Sequence, residues 1–349
     1  MAQDGSALMT HQHRARSLLA FCVPIATLLV CAIFAPIAAQ DTRQTGSPPS
    51  ETYTPRTVDV TTKPGQPWTM PPAPPGVEIQ KDLSYLAEGR QEKLDLYLPS
   101  NRAAGARAPA VVVIHGGGWT TGDKARQREF LTGTTLALAG YVAISIEYMK
   151  ESGKRWPTNL HDCKNAVRWL RVNAAKLQVD AAHIGVIGGS AGGHLALMVG
   201  YTTGVKELEP DGPYPGVSDR VQAVVDMYGV TNLLTRQATE KDGTPNGQLR
   251  EAGLFPNKRG ENIDKWKLAS PVYHVSKDSP PTLILHGTAD PTVDRDQSYE
   301  LGKTLKEAGV PHRLIMLQGI GHTFALLDKG VDVREVVVVF FNTYLKPAK

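Results

Sequence analysis

The stretch IGVIGGSAGGHLALM, residues 184–198, places Ser190 among five glycines, between an apolar run and a segment that can form a helix. A serine on a sharp turn from strand to helix is held in a strained backbone conformation that points its hydroxyl outward. Gly188 and Gly192 stand two residues before and after it, where side chains would collide because the two arms of such a turn nearly touch. A phosphate-binding loop is excluded, since the lysine of that motif is missing. The stretch therefore predicts a strand, a turn bearing a nucleophile, and a helix.

A second glycine run, His115-Gly116-Gly117-Gly118-Trp119, follows another apolar segment. Glycines at the end of a strand allow backbone N–H groups to face a substrate oxygen without hindrance. The N-terminus of the helix after Ser190 supplies further free N–H groups and a positive dipole end. We predict that the N–H groups of Gly117, Gly118 and Ala191 form an oxyanion hole.

A nucleophilic serine needs a base, and the base needs a carboxylate to orient it. His322 lies in QGIGHTF, on a short loop flanked by glycine directly after the last predicted strand. Asp290 lies in LILHGTADPTVDRD just past a strand end, and Asp226, near the end of the preceding strand, is the weaker alternative. We therefore predict the catalytic residues Ser190, Asp290 and His322, in this chain order.

The other histidines and nearby acids are predicted to have structural roles. His194 lies one turn into the helix after the serine, pointing away from its hydroxyl, and His286 lies at a strand end facing a turn. The rest have no matching context or belong to the N-terminal segment: His161, His183, His274, His312, His11 and His13. Asp290, Asp294 and Asp296 do not have the spacing of an EF-hand and no Glu closes the set, so no metal site is predicted. Asp296 is instead predicted to cap a helix that runs through Leu305.

Strands alternate with helices from about residue 79 onward. Strands are predicted at 94–100, 108–117, 141–149, 183–188, 221–229, 281–287 and 312–319, and helices at 123–139 and 159–177. Asp332 and Glu335 are predicted to form a capping box for a closing helix that ends before Pro347. Continuous apolar strands alternating with helices indicate an α/β fold with a mostly parallel sheet covered on both faces. The polar segment 230–279 is too long for a simple connection and predicts a small lid or pocket wall.

The chain divides into three predicted parts. Residues 1–40 have the basic, apolar, then small-residue order of a signal peptide, and the long apolar run at 17–39 leaves an uncleaved membrane anchor as the alternative. Residues 41–78 are rich in proline and predict a disordered linker, followed by a catalytic domain at 79–349. Cys163 is the one cysteine beyond residue 40, so an internal disulfide is excluded there and a buried thiol is predicted. The net charge of +4, with no basic stripe, argues against a nucleic-acid partner.

Four motifs in this order, HGGGW, GGSAGGHLA, HGTADP and GIGHTF, resemble those of the α/β-hydrolase carboxylesterases. The likeness covers roughly 79–346 and is greatest to the feruloyl-esterase-like and hormone-sensitive-lipase-like branches. It implies the α/β-hydrolase fold, with a central sheet between two helical layers. Gly189 stands where the hormone-sensitive-lipase branch often has Asp. The run Glu147-Tyr148-Met149 differs from the Asp-Tyr-Arg type common in that branch. The proline-rich segment 41–78 stands in place of its N-terminal cap helices. These departures favour the feruloyl-esterase-like side.

We therefore predict an exported serine hydrolase that cleaves carboxylic esters without a cofactor. Its substrates would be small-molecule or polysaccharide-linked acetyl, feruloyl or other short or aryl esters, and it would contact a membrane only if residues 17–39 were retained. The candidate pocket aromatics are Trp119, Tyr228, Trp266 and Phe324. The alternatives are an amidase resembling kynurenine formamidase, which shares HGG-x-W and the serine turn, and a catalytically silent hydrolase fold used for binding. A prolyl-oligopeptidase type is not expected, because it would carry a large β-propeller upstream, for which 78 residues are too few.

Overall fold

Short apolar strands and amphipathic helices alternate along the chain, as the sequence predicts. The computed structural model describes residues 51–53, 69–103, 105–249, 253–255, 261–328 and 330–346. The strands are β1 Glu51–Tyr53, β2 Val77–Ser84, β3 Lys93–Pro99, β4 Ala108–Ile114, β5 Val142–Ile146, β6 Val179–Gly189, β7 Ala223–Met227, β8 Gln237–Thr239, β9 Pro245–Leu249, β10 Thr282–Gly287, β11 His312–Leu317, β12 Leu327–Asp328 and β13 Val331–Asp332. The helices are α1 Gln127–Leu138, α2 Thr158–Val172, α3 Ala174–Leu177, α4 Ala191–Tyr201, α5 Ile263–Leu268, α6 Asp296–Glu307 and α7 Arg334–Leu345, with 3₁₀ turns at Lys206–Leu208 and Pro271–His274.

Nine of the described strands form one sheet in the order β1-β11-β10-β7-β6-β4-β5-β3-β2. All neighbouring pairs run parallel except β2 with β3 and β3 with β5. Strand β4 is buried along its whole length. Its Val111 and Val113 join the core on the side of α1 and α7, and Val112 and Ile114 join the core on the side of α2 and α4. The predicted mostly parallel sheet, covered by helices on both faces, is confirmed.

Element ends differ from the predictions where a stronger local partner is present. Helix α7 begins at Arg334 with Val333 as its N-cap, so the predicted capping box of Asp332 and Glu335 is wrong. The Asp332 carboxylate instead accepts hydrogen bonds from the backbone and side chain of Arg334. Asp296 is the first residue of α6 and not its cap, and the helix predicted at 159–177 is interrupted at Asn173.

The predicted N-terminal parts lie largely outside the described residues. The predicted export segment 1–40 is outside them altogether. Within the predicted linker, Glu51–Tyr53 pair with β11, and β2 begins at Val77, before the predicted domain boundary at 79. Among the described residues, no helix is long and apolar enough to span a membrane. The described part of 230–279 holds the β8–β9 hairpin, α5 and one 3₁₀ turn.

Candidate active site

The predicted catalytic residues and the glycine run all follow strands of the central sheet. Ser190 comes after β6, Asp290 after β10 and His322 after β11, while the run His115–Trp119 follows β4. These four strands run parallel, so their carboxyl ends lie at one edge of the sheet. The topology therefore brings together residues that are up to 207 positions apart in the chain, from His115 to His322.

The turn at Ser190 has the strained geometry that the glycine pattern predicts. Ser190 has φ +58° and ψ −123°, a conformation that residues other than glycine rarely adopt, and it is the N-cap of α4. A Cβ atom on Gly188 would overlap the carbonyl oxygen of Gly192, so the two arms do meet. Gly192 has a different reason to be glycine, because its own Cβ would collide with the carbonyl of Ile114 at the end of β4.

Ser190, His322 and Asp290 form one hydrogen-bonded series. His322 Nε2 lies 2.9 Å from Ser190 Oγ, and His322 Nδ1 lies 2.6 Å from Asp290 Oδ2. The other carboxylate oxygen, Oδ1, accepts the N–H groups of Thr292 and Val293 at 2.8 and 2.9 Å. An ionised carboxylate on Nδ1 favours the tautomer in which the serine hydroxyl donates to Nε2.

The pKa values of this series suit a neutral base beside an ionised acid. Burial opposes ionisation of Asp290, but hydrogen bonds from His286 and His322 hold the pKa of its carboxyl well below the ordinary range. Burial lowers the pKa of His322, while the Asp290 carboxylate acts in the opposite direction. His322 is therefore largely unprotonated at neutral pH and able to accept a proton from Ser190.

The other candidates lie where they cannot replace these residues. His194 donates from Nε2 to the Ala269 carbonyl at 2.7 Å and accepts the Trp119 indole N–H at 3.1 Å, and burial lowers its pKa to about 4. His286 is buried behind the site, with Nδ1 2.7 Å from Ser298 Oγ and Nε2 3.3 Å from Asp290. Asp226 is buried on β7, and the carboxylate that meets His322 is that of Asp290.

The acid Asp294, close to Asp290 in the chain, is engaged by the protein backbone. Asp294 accepts the backbone N–H of Gln237 at 2.8 Å, which gives this acid a structural role in holding β8. Within the described ranges, no three His, Cys, Asp or Glu side chains lie close enough together to hold a metal ion.

The predicted oxyanion-hole residues line the same cavity as Ser190. Gly117 and Gly118 have φ values of +116° and +60°, and the Gly117 carbonyl accepts the N–H groups of Thr120 and Thr121, which closes a tight loop. No acceptor among the described residues takes the N–H groups of Gly117, Gly118 or Ala191. These three donors are therefore available to a substrate oxygen.

The segment that departs from the lipase pattern anchors this loop, a role that the sequence did not reveal. The Tyr148 hydroxyl donates to the His115 carbonyl at 3.0 Å, and the His115 ring stacks on that of Tyr148. Glu147 accepts the Lys124 N–H and pairs with Lys150, whose ammonium also donates to the Gly122 carbonyl at 2.8 Å. Despite burial, the nearby His115 ring, with Nε2 at 3.7 Å, and hydrogen bonds from Lys150 and the Lys124 N–H lower the pKa of Glu147 to about 2. The loop is thus held at both ends.

A cavity of about 660 Å³ opens onto Ser190, and its lining includes charged side chains that the sequence analysis did not place there. Its lining residues include His115–Trp119, Arg126–Glu129, Ser190, Ala191, Val230, Arg236, Gly253, Thr292, His322, Thr323, Ala325 and Asp328. Of the predicted pocket aromatics, only Trp119 lines it, and that side chain is 2% exposed. Tyr228, Trp266 and Phe324 do not line the cavity and are buried in the core, so the prediction that they form its wall is wrong.

These aromatic residues have packing roles beneath the cavity. Tyr228 lies edge-on to His322, with ring centres 4.8 Å apart, and Phe324 packs against Tyr228 at 4.6 Å. Trp266 packs against Phe255 at 4.9 Å. Tyr228 thus supports the histidine and takes no part in the wall.

The charged first turn of α1 is the main wall feature that the sequence analysis missed. Arg128 donates from Nη1 to the Tyr228 hydroxyl at 2.9 Å, and from Nε and Nη2 to Glu129. A signal was present, because a helix that follows a parallel strand begins at the carboxyl edge of the sheet. The polar run Arg126–Glu129 at the start of α1 was therefore placed to face the site.

Comparisons with known proteins identify the family of this chain. The model of the BD-FAE family matches residues 94–305. Esterase LipQ of Mycobacterium tuberculosis is 32% identical over 228 residues, covering 65% of this chain and 53% of that protein. Esterase LipC of the same organism is 31% identical over 238 residues, covering 67% and 58%. The chain thus spans between half and three fifths of the length of these relatives. A truncated carbohydrate esterase from gut microbiota superimposes with a TM-score of 0.64 at 29% identity, covering 76% of this chain and 95% of that one.

Proposed function

This chain belongs to the BD-FAE family, and on that premise we propose that it hydrolyses carboxylic esters through Ser190, His322 and Asp290. The observation that carries the proposal is the continuous hydrogen-bonded series from Ser190 Oγ through His322 to Asp290. The similar proteins LipQ and LipC, both named as esterases, support the same reaction.

In the acylation step, Ser190 Oγ attacks the ester carbonyl while His322 Nε2 takes its proton. The imidazolium that forms faces the Asp290 carboxylate, which remains ionised. The carbonyl oxygen becomes an oxyanion and accepts the N–H groups of Gly117, Gly118 and Ala191. His322 then gives the proton to the leaving alcohol oxygen, which leaves an acyl group on Ser190.

In the deacylation step, His322 takes a proton from a water molecule that attacks the acyl carbonyl. The tetrahedral intermediate collapses, the carboxylic acid leaves, and the proton returns to Ser190 Oγ. The same N–H groups stabilise the oxyanion in both steps.

The substrates that we propose are short acyl esters of sugars, including those on plant polysaccharides. Polar side chains in the cavity wall, such as Arg126 and Gln127, can hydrogen-bond a hydrated alcohol part, and a similar solved structure is a carbohydrate esterase. A feruloyl group would need an aromatic surface to stack on, and Trp119 offers little area. We therefore expect acetyl esters to be cleaved faster than feruloyl esters.

The test compares the wild type with Ser190→Ala on four substrates: p-nitrophenyl acetate, acetylated xylooligosaccharides, methyl ferulate and a p-nitroanilide. We expect ester turnover to fall on the order of 10⁶-fold in the variant, because the nucleophile is lost. Ser218→Ala, at an exposed serine before β7, is the matched control and should retain full turnover.

Two results would overturn the proposal. Cleavage of the anilide without that of the esters would assign an amidase. A folded wild type that turns over nothing would assign a binding protein.

We also propose that residues 1–40 direct export and are then removed. The test expresses the whole chain in a Gram-negative host and measures its intact mass in each cell fraction. A full-length product in the membrane fraction would instead assign an uncleaved anchor.

A further inference from the structure

The cavity next to Ser190 contains more positive than negative side chains. Arg126, Arg128 and Arg236 line it, against the carboxylates of Glu129 and Asp328. Glu129 is 1% exposed, and one of its oxygens accepts both the Nε and the Nη2 of Arg128, so its charge is directed into the protein. On the side of α1 the wall therefore carries two guanidinium groups against one carboxylate, which is paired with Arg128.

Arg128 lies close to the reacting centre. A Cβ on Gly116 would lie 3.2 Å from Ser190 Cβ and 3.4 Å from Arg128 Nη1, and a Cβ on Gly189 would collide with the same Nη1. The guanidinium is thus packed against both the glycine loop and the serine turn. Its side chain is 17% exposed, toward the cavity that it lines.

Arg128 retains hydrogen-bonding capacity in this position. A guanidinium has five N–H donors, and three of these are used, by Glu129 and the Tyr228 hydroxyl. The other two have no acceptor in the described part of the chain. A partly buried charged donor without a partner is unfavourable, and an anionic acceptor would restore the missing interactions.

Arg126 adds a second cation on the same wall. It immediately precedes α1, is exposed, and forms no ion pair with any described residue. Arg236, which comes later in the chain, also lines the cavity, and its Nη2 donates to the Thr292 carbonyl. The arrangement offers one partly buried guanidinium and one exposed guanidinium to the same ligand group.

We propose that the preferred ester carries a carboxylate, on either its acyl or its alcohol part, and that this group binds Arg128 and Arg126. A carboxylate matches the planar fork of a guanidinium in shape and charge, whereas a sugar hydroxyl matches neither. This inference rests on the proposed function, since it names the substrate class of the same site.

The test uses two substrate pairs that differ only in a carboxylate. Monoethyl succinate against its neutral isostere ethyl levulinate places the charge on the acyl part. Mono-O-acetyl methyl galacturonide against the matching galactoside places it on the alcohol part. We expect the wild type to favour the charged member of one pair by about ten-fold or more in kcat/KM, mainly through KM. The pair that responds identifies the source of the carboxylate.

Variants then assign the preference to these arginines. Arg126→Glu should lower the charged-to-neutral ratio several-fold, and raising the salt concentration should reduce the ratio in the wild type. Arg128→Gln should lower the ratio further. It also removes the hydrogen bond to the Tyr228 hydroxyl, so it should slow the cleavage of both members of each substrate pair. Arg107→Glu, an exposed arginine at the amino end of β4, is the charge-matched control and should leave the ratio unchanged.

The outcomes separate this inference from the function on which it rests. Equal kcat/KM values for both members of both pairs, or an equal loss for both members in Arg126→Glu and Arg128→Gln, overturn the carboxylate site. If the neutral esters are still cleaved in a Ser190-dependent manner, the esterase proposal stands. If no ester is cleaved at all, both proposals are wrong.

Discussion

His322 must be unprotonated to accept the serine proton, so its pKa sets the acid limit of the reaction. Burial lowers this pKa below the ordinary value of about 6.5, and the Asp290 carboxylate opposes the shift. We predict that kcat/KM for a neutral ester rises with pH along a one-proton limb whose midpoint lies below about 6.5, followed by a plateau. A pH–rate profile measures this midpoint.

The variant Asp290→Asn tests the residue that orients the histidine. We expect kcat to fall about 10⁴-fold, because the amide no longer favours the productive tautomer. Loss of the carboxylate also removes the interaction that raises the pKa of His322, so the acid limb should move to lower pH. A limb that moves to higher pH would contradict this assignment. Asp211→Asn, at an exposed acid, should leave both quantities unchanged.

At the residue scale, the sequence identified the groups whose chemistry requires particular neighbours. Ser190 could be recognised because its turn needs Gly188, and His322 because it follows a strand on a glycine-flanked loop. Tyr228 could not be placed, since an aromatic side chain after a strand fits a core as well as a wall. Arg128 was missed because a charged residue at a helix start is ordinarily solvated.

Strand β7 and helix α4 meet around a buried acid. The Asp226 carboxylate is fully buried, and a Cβ on Gly193 or Gly229 would collide with it. Burial raises its pKa to about 7, although His286 acts in the opposite direction. In the unfolded chain an aspartic acid loses its proton near pH 4. Asp226 therefore favours the folded state at low pH, and this contribution is lost as the pH rises from about 4 to about 7.

The variant Asp226→Asn should remove that pH dependence, because an amide does not titrate. Between pH 5 and pH 8 the wild type should lose about 3 kcal/mol of unfolding free energy through this carboxyl group, and the variant should not. Urea unfolding followed by tryptophan fluorescence at both pH values measures this change. Parallel stability curves for the two proteins would show that the Asp226 carboxyl titrates normally, and the exposed Asp211→Asn again serves as the control.

At the element scale, periodicity predicted where helices and strands lie better than how they end. The run Val336–Phe341 reads as a strand, yet its 3.6-residue period correctly predicted a helix. The capping box failed because the Arg334 guanidinium competes for the Asp332 carboxylate, and Asp332 also belongs to the β12–β13 pair. Such competition depends on side chains that meet only after folding.

Across the whole molecule, two properties of the sequence determine the architecture. Strands without polar positions must be covered on both faces, and a parallel connection places each following loop at the same edge of the sheet. The position of the site follows from these rules. The composition of its wall follows only in part. The same rule places the start of α1 at the site, whereas residues of the segment 230–279 reach the cavity through contacts that no periodic pattern encodes.

The core on the side of α2 offers a probe of global unfolding. Cys163 lies on α2 among Leu160, Val167 and Leu170, with no exposed surface, and burial raises the pKa of its thiol well above the ordinary value. A thiol-specific reagent needs both access and the thiolate, so Cys163 can react only when the core opens.

In a chain with Cys22→Ser and Cys31→Ser, we therefore predict that Ellman's reagent labels Cys163 at least about 10³-fold more slowly than in the unfolded protein. RT times the natural logarithm of the labelling rate should rise with urea concentration as steeply as the equilibrium unfolding free energy falls, because only global opening exposes α2. An added Ser218→Cys, at an exposed position, should react at once and shows that the reagent is active. A Cys163 rate independent of urea would instead mean that α2 detaches locally from the sheet, and the central core would then not unfold as one unit.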